Sequence, residues 1–323
     1  MAKMLRAAWL GLILVLATTA GRAETPVIRA AVLQVGTVNW ELDTIRANGF
    51  DAEHGFALQM QPFADNGATR VAFEGGAADM IVVDWIWAAR QRAAGRDYVF
   101  VPYSKAVGGL VVAEASPAQT LADLAGKKIG IAGGPLDKSW LILRAYAEQE
   151  LGMDLASETE QVFGAPPLIY KAGLSGEVDG AINFWHFLAK MKAEGMRELI
   201  SVEEASRALG LDPEVPLLGY VVKESFLAEN PGLAQAFYDA SRQAKEVLAS
   251  DDAVWEALRE RMNAGSEAEF RTVRDDFRAG IPRRGPIDPA GADAFLQLMA
   301  SLGGAALVGD ATALPEGLFV PIE

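Results

Sequence analysis

From Val27 onward, short apolar runs of strand length alternate with stretches whose apolar residues recur at helical spacing. Val27–Val35 reads as a first strand. Trp40–Ala47 reads as a short helix with Leu42 and Ile45 on one face, ended by Asn48-Gly49. Phe56–Phe63 reads as the next strand. Alternation of this kind predicts βαβ units and a largely parallel sheet, an α/β fold. After Lys223 helical spacing takes over: Pro231 opens a helix in which Leu233, Ala236, Phe237, Ala240 and Ala244 continue one stripe.

The pattern also repeats. Gly76, Asp79 and Trp85 are matched by Gly176, Asp179 and Trp185, with an apolar strand between Asp and Trp in both copies. Each copy reads as a helix end, a tight turn and a buried strand with an aromatic at its carboxyl end. Two such units predict two lobes, with Trp85 and Trp185 facing each other across a cleft. Val107–Ala113 and Leu217–Val222 are the expected strands crossing between lobes. The division predicted is a first lobe of residues 24–112 and 220–323 and a second of residues 113–219.

Residues 1–23 read as an address. Lys3 and Arg6 precede an apolar run, Ala7–Ala20, and Gly21-Arg22-Ala23 supplies the small residues of a cleavage site. The run is shorter than the roughly 20 residues of a membrane-spanning helix, and no second segment is expected to reach that length. Cleavage after Ala23 would remove three basic and no acidic groups, taking the net charge from −14 to −17. Such acidity disfavours nucleic acid and anionic membrane surfaces as partners. There is no cysteine, hence no disulfide, thiol chemistry or cysteine-held metal. A soluble, periplasmic, monomeric protein is the expectation.

The stretch LADLAGKKIGIAGGPLDKSWLILRAYA (121–147) gives a strand at Lys128–Ala132, a glycine turn and a helix opening near Asp137. In open α/β sheets, ligands settle at such strand ends, near the free N–H groups of the following helix. Gly134, Ser139 and Trp140 are candidate contacts; Asp137 is either a further contact or the helix cap, the cap being preferred. Asp84 and Trp85 hold the equivalent place in the first lobe, Asp84 again facing the cleft or capping. Asn183, Trp185 and His186 hold it in the second. Gln34, Thr37, Asn39 and Trp40 follow the first strand and form a further rim, and Tyr220 reaches toward the cleft from a crossing strand. Trp87 and His54 read as a core residue and a surface helix-end residue.

Five segments carry a family resemblance: GFDAEHGFALQMQPF, GGAADMIVV, LADLAGKKIGIAGGPLDKSWLILRAYAEQELGM, GLSGEVDGAINF and YVVKESFLAENPGLAQAFYDASRQA. In this order the chain resembles the periplasmic solute-binding proteins of ABC importers, specifically the nitrate/sulfonate/taurine and thiamine-pyrimidine-precursor group. The resemblance implies a type II two-lobed binding-protein fold that closes over a small-molecule solute and hands it to an inner-membrane permease, without a cofactor. A periplasmic ligand-binding partner of a sensor or enzyme is the alternative. A thiamine-pyrimidine-synthesis enzyme of the same superfamily is a distant one. No Gly-x-Ser-x-Gly elbow, His-Glu-x-x-His pair or phosphate loop supports catalysis. Aromatic residues with Asp84 and Asp137 point to a heteroaromatic or cationic cargo, while Lys105 and Lys138 leave an anionic one open.

Overall fold

The computed structural model describes residues 25–323; the expected leader, residues 1–23, lies outside them. The strands are β1 (Val27–Leu33), β2 (Ala57–Phe63), β3 (Met80–Asp84), β4 (Tyr98–Ser104), β5 (Gly109–Ala113), β6 (Lys128–Ala132), β7 (Glu160–Gly164), β8 (Gly180–Asn183), β9 (Met196–Ser201) and β10 (Leu218–Lys223). The helices are α1 (Val38–Asn48), α2 (Phe50–Glu53), α3 (Asn66–Glu74), α4 (Trp85–Ala93), α5 (Lys138–Leu151), α6 (Leu155–Glu158), α7 (Pro166–Ser175), α8 (Trp185–Ala193) and α9 (Val202–Ala208). The carboxyl-terminal set is α10 (Glu224–Glu229), α11 (Leu233–Ser250), α12 (Asp252–Met262), α13 (Glu267–Ala279) and α14 (Pro289–Val308).

Two five-stranded sheets form, ordered β2-β1-β3-β10-β4 and β7-β6-β8-β5-β9. They are copies of one plan, β1 to β4 matching β6 to β9 and β10 matching β5. The sequence repeat has a structural cause here. Asp79 and Asp179 each stand just before the central strand of their sheet. Their carboxylates accept the backbone N–H groups of Arg29 and Lys128, each at 2.9 Å. Their own N–H groups return to the same residues' carbonyls, each at 2.8 Å. Gly76 and Gly176 turn the chain there at φ 78° and 74°, backbone that glycine adopts without steric cost. The Gly-x-x-Asp spacing therefore ties the start of β3 to β1 and the start of β8 to β6.

Four strands of each sheet run one way, in keeping with the largely parallel sheet expected, and one opposes them: β10 is antiparallel to β3 and β4, and β5 to β8 and β9. One expectation needs correction: Val107–Ala113 and Leu217–Val222 adjoin the crossings but do not span the sheets, since β5 pairs only within the second and β10 only within the first. The passage between them is made by residues 105–108 and 209–217. Each exchanged strand enters the other sheet directly from a short connection, without the crossover helix that a parallel arrival requires.

Apolar contacts join the lobes on two flanks. The helix α14 packs on α4 of one lobe and α5 of the other, so that Trp85, Phe295 and Trp140 share one core. On the other flank α8 lies against α13, and Trp185 and Ala189 enter the core built by β1, α1, α11, α12 and α13. A third core beneath the second sheet is closed by α7 and α8 around Ile169, Leu188 and Met191. Contrary to expectation, a second apolar segment reaches spanning length by composition: α14 has a window of mean hydropathy 1.3, though Gly304 at φ 57° kinks the helix. Its Phe295, Leu296 and Met299 are buried in the inter-lobe core.

Candidate functional site

The carboxyl ends of the two sheets face each other, and one contact fixes that geometry. Asp84 ends β3 in the first sheet. One carboxylate oxygen accepts the N–H of Trp87 at 2.9 Å, capping α4, and the other accepts Lys138 Nζ at 2.9 Å across the gap. Lys138 opens α5, whose cap is Asp137, accepting from Trp140 N at 3.1 Å. Both carboxylates thus take the capping role weighed for them, and Asp84 also bridges the lobes. Burial, with Asp84 nearby, pushes the Asp137 carboxyl up to about 6.

Ser139 lies half-buried at the crossing between lobes. A side chain at Gly108 would collide with the Asn183 carbonyl and approach Ser139 Oγ to 3.2 Å, so only glycine lets β5 pass there. Gly134 sits half-buried in the turn before α5 at φ 140°. In the first lobe, Gln34 is exposed, Thr37 half-buried at the start of α1, and Asn39 buried beside it. Asn39 Nδ2 donates to the carbonyls of Leu33 at 2.9 Å and Gln34 at 3.4 Å, holding the loop after β1; its Oδ1 is buried without a partner.

Several candidates are elsewhere than expected. Trp85 and Trp185 do not face each other. Trp85 is fully buried, edge-on to Phe295 at 5.8 Å and Phe319 at 5.9 Å. Trp185 crosses from the second lobe into the first lobe's aromatic cluster, 6.2 Å from Trp40 and 6.3 Å from Phe277. Both are first residues of helices packed on their sheets, so each ring follows its helix into a core instead of ending the strand in open space. Trp140 is likewise core, buried among Leu141, Ile142 and Leu143. Tyr220 is fully buried, its hydroxyl donating to Glu41 at 2.8 Å. Asn183 is buried and occupied, donating to the Pro166 carbonyl at 3.0 Å and accepting from Phe184 N at 2.8 Å. Trp40 is 4 % exposed and belongs to the aromatic cluster.

His186 is half-buried among Phe184, Trp185 and Phe187. Burial, aided by Lys190, holds its imidazole down at about 4. The unfolded chain takes up that proton near 6.5 while the folded one waits until about 4, so this group costs stability as pH falls between those values. Asp137 acts oppositely, favouring the fold as pH drops from about 6 toward its ordinary carboxyl range. His186→Gln is expected to remove the first slope and Asp137→Asn the second, read from urea melts between pH 4 and 7.

Two features escaped the sequence reading. One is a buried network under α1, in which Glu41 receives Tyr220, Ser241 and Lys245. The other is a set of exposed apolar residues, Val35, Leu136, Phe163 and Phe184 in or after strands and Leu168 in the first turn of α7. A separate crevice of about 280 Å³ lies on the α8–α13 flank, lined by Lys105, Gly108, Trp185, Lys192, Glu198 and Asp276 among others. Among the described residues no group of three or more His, Asp or Glu is arranged to hold a metal.

A family model described as NMT1/THI5 like matches residues 45–253. No curated protein matches the chain. Among solved structures it is similar to the periplasmic aliphatic sulphonate binding protein SsuA of Escherichia coli, at TM-score 0.74 and 18% identity over 92% of this chain and 93% of that one. The alkanesulfonate-binding protein SsuA of Xanthomonas axonopodis pv. citri, bound to MOPS, gives 0.66 and 18% over 93% and 99%. The desulfurization enzyme DszB gives 0.57 and 16% over 91% and 97%. The chain therefore shares the two-lobed fold of periplasmic binding proteins, and that fold also carries an enzyme.

Proposed function

The chain belongs to the NMT1/THI5-like family, and from that premise we propose that it is the extracytoplasmic solute-binding component of an ABC importer. It captures a small organic solute between its lobes and presents the closed form to an inner-membrane permease. The observation that carries this reading is the Lys138–Asp84 contact, which sets the carboxyl ends of two matching sheets against each other. Ligands of open α/β sheets occupy that position, and lobe closure is an equilibrium that a solute shifts by contacts made only when the lobes meet. The periplasmic binding proteins of the same fold support the reading, as does the leader-like start of the sequence.

Binding without turnover fits the groups present. Asp84 and Asp137 are engaged as helix caps, and His186 is a neutral, half-buried imidazole packed among aromatic rings. Asp84 holds Lys138 as an ion pair, and neither Asp137 nor His186 bonds a hydroxyl among the described residues. Mass spectrometry of solvent extracts from the natively purified protein tests the proposal. The expected result is one small molecule in near-stoichiometric amount, recovered unchanged after incubation with excess protein. Conversion to a product would replace capture with catalysis, and an extract empty of small molecules would contradict capture.

A further inference from the structure

Resting on the lobe closure proposed above, we infer that the lobes pivot on α14 and part along the α8–α13 flank, where a polar latch centred on Glu269 holds them shut from outside the gap. The two flanks are built differently. On the α14 side one continuous core runs from Ile81 and Val83 of the first sheet, through Phe295 and Met299, to Ile129 and Ile131 of the second. Parting that side would split a fused core and expose it to water. On the α8 side the cores stay apart. Of the second lobe's buried residues only Trp185 and Ala189 enter the first lobe's cluster, while Leu188 and Met191, on the other face of α8, close the second lobe's own. The crevice of about 280 Å³ lies in the same seam, so packing there is incomplete.

Polar contacts divide the same way. Among the described residues, all but one of the side-chain hydrogen bonds and ion pairs joining the lobes lie between α7 or α8 and residues 263–276. The exception, Lys138–Asp84, joins the amino ends of the two helices on which α14 packs. Lys192 meets Asp276 at 2.8 Å. Lys190 donates to the Asn263 carbonyl at 2.6 Å and stands 3.7 Å from Glu269. The Tyr170 hydroxyl donates to Glu269 at 3.4 Å. Contacts of this kind exchange for water at little cost when they separate, unlike a split core.

Glu269 is 6 % exposed and is fixed by its own lobe. Its N–H donates to Ser266 Oγ at 3.1 Å, and its Oε2 accepts the N–H of Gly265 at 2.6 Å. The carboxylate therefore keeps its place when the second lobe moves away, a standing receptor for Lys190 and Tyr170. The position of α13 supplies the leverage. At its carboxyl end the Gly280 carbonyl accepts Lys105 N at 2.9 Å, on one of the two connections between lobes. A side chain at Gly280 would collide with Ala106, so helix and connection are in close contact. Glu269 stands about 16 Å back along the helix from that point. A small rotation about the connection and α14 thus separates the lobes more at Glu269 than beside Gly280.

Spin-label pairs in the cysteine-free chain test this, read by double electron–electron resonance after dialysis. Ala257→Cys with Glu177→Cys spans the lobes on the α8–α13 side, and Ser301→Cys with Glu148→Cys spans α14 and α5; all four positions are exposed. Tyr170→Phe with Lys190→Met, placed in each labelled chain, is expected to raise the long-distance fraction of the first pair about threefold and leave the second pair unchanged. Sodium chloride at about 0.5 M should open the first pair in the parent and add little in the variant. Unchanged distances in the first pair of the variant would overturn the inference, as would an equal shift in both pairs. Solute capture itself would still be judged separately, by the co-purifying molecule.

Discussion

Replacing Lys245 with Ala will lower the free energy of unfolding by about 3–5 kcal/mol, as measured by urea denaturation. Lys245 is 1 % exposed and Glu41 is fully buried, a charged pair between α11 and the first turn of α1. Every oxygen of the carboxylate is used. Tyr220 and Ser241 donate to Oε1 at 2.8 and 2.6 Å, and Lys245 donates to Oε2. Lys245 also donates to Ser241 at 2.7 Å and lies over the Tyr103 ring at 5.1 Å. Burial lowers the Lys245 pKa, and Glu41 opposes that shift. Removing the ammonium alone strands a carboxylate in the core, which is why the loss is large. Replacing both partners, with Glu41→Leu and Lys245→Met, should recover part of it, because apolar groups of similar volume dispense with the charges' desolvation cost, while the buried Tyr220 and Ser241 hydroxyls lose their acceptor. A double variant as unstable as the single one would contradict this account.

Trp85→Ala will cost a similar amount, about 3–5 kcal/mol, through the cavity left among Phe295, Phe319 and their neighbours. The ring buries its whole surface, and its Nε1 has no partner. Trp85→Phe should therefore be far milder, since it keeps much of the packing and removes an unsatisfied donor. Solute affinity of the Ala variant, titrated where it remains folded, should stay within a few-fold of the parent. A selective loss of affinity with unchanged stability would place the ring in the cleft instead.

Much of the fold is legible in the chain because it is written in local patterns. The strand and helix alternation follows from side-chain periodicity. The paired Gly-x-x-Asp segments announce two equivalent sheets because each Asp performs the same backbone tie. Asp137 was readable as a cap because it directly precedes a helical stripe. What stayed hidden depends on long-range pairing. The places where the chain passes between lobes were legible beside β5 and β10, but nothing local gives the direction in which a strand joins its sheet, so their antiparallel pairing was missed. Trp85 and Trp185 share a sequence context yet enter different cores, since the helix each opens packs against different neighbours. The buried pair did leave a trace: Lys245 falls four residues after Ser241 on the stripe of Phe237, Ala240 and Ala244, and Glu41 falls on the stripe of Val38, Leu42 and Ile45. A charge in phase with the apolar face of each of two helices is a signal for a buried partner.

Capture between the lobes can be tested by tying them together away from the gap. Lys192 on α8 and Asp276 on α13 meet at 2.8 Å across the lobes, each about a third exposed at 29 % and 31 %. The chain has no cysteine of its own, so Lys192→Cys with Asp276→Cys offers a unique pair for a short bis-maleimide linker. The unlinked double variant should exchange the co-purifying solute as the parent does, while the linked one should neither release solute already held nor admit it when empty. Equal exchange rates for linked and unlinked protein would contradict capture by lobe closure.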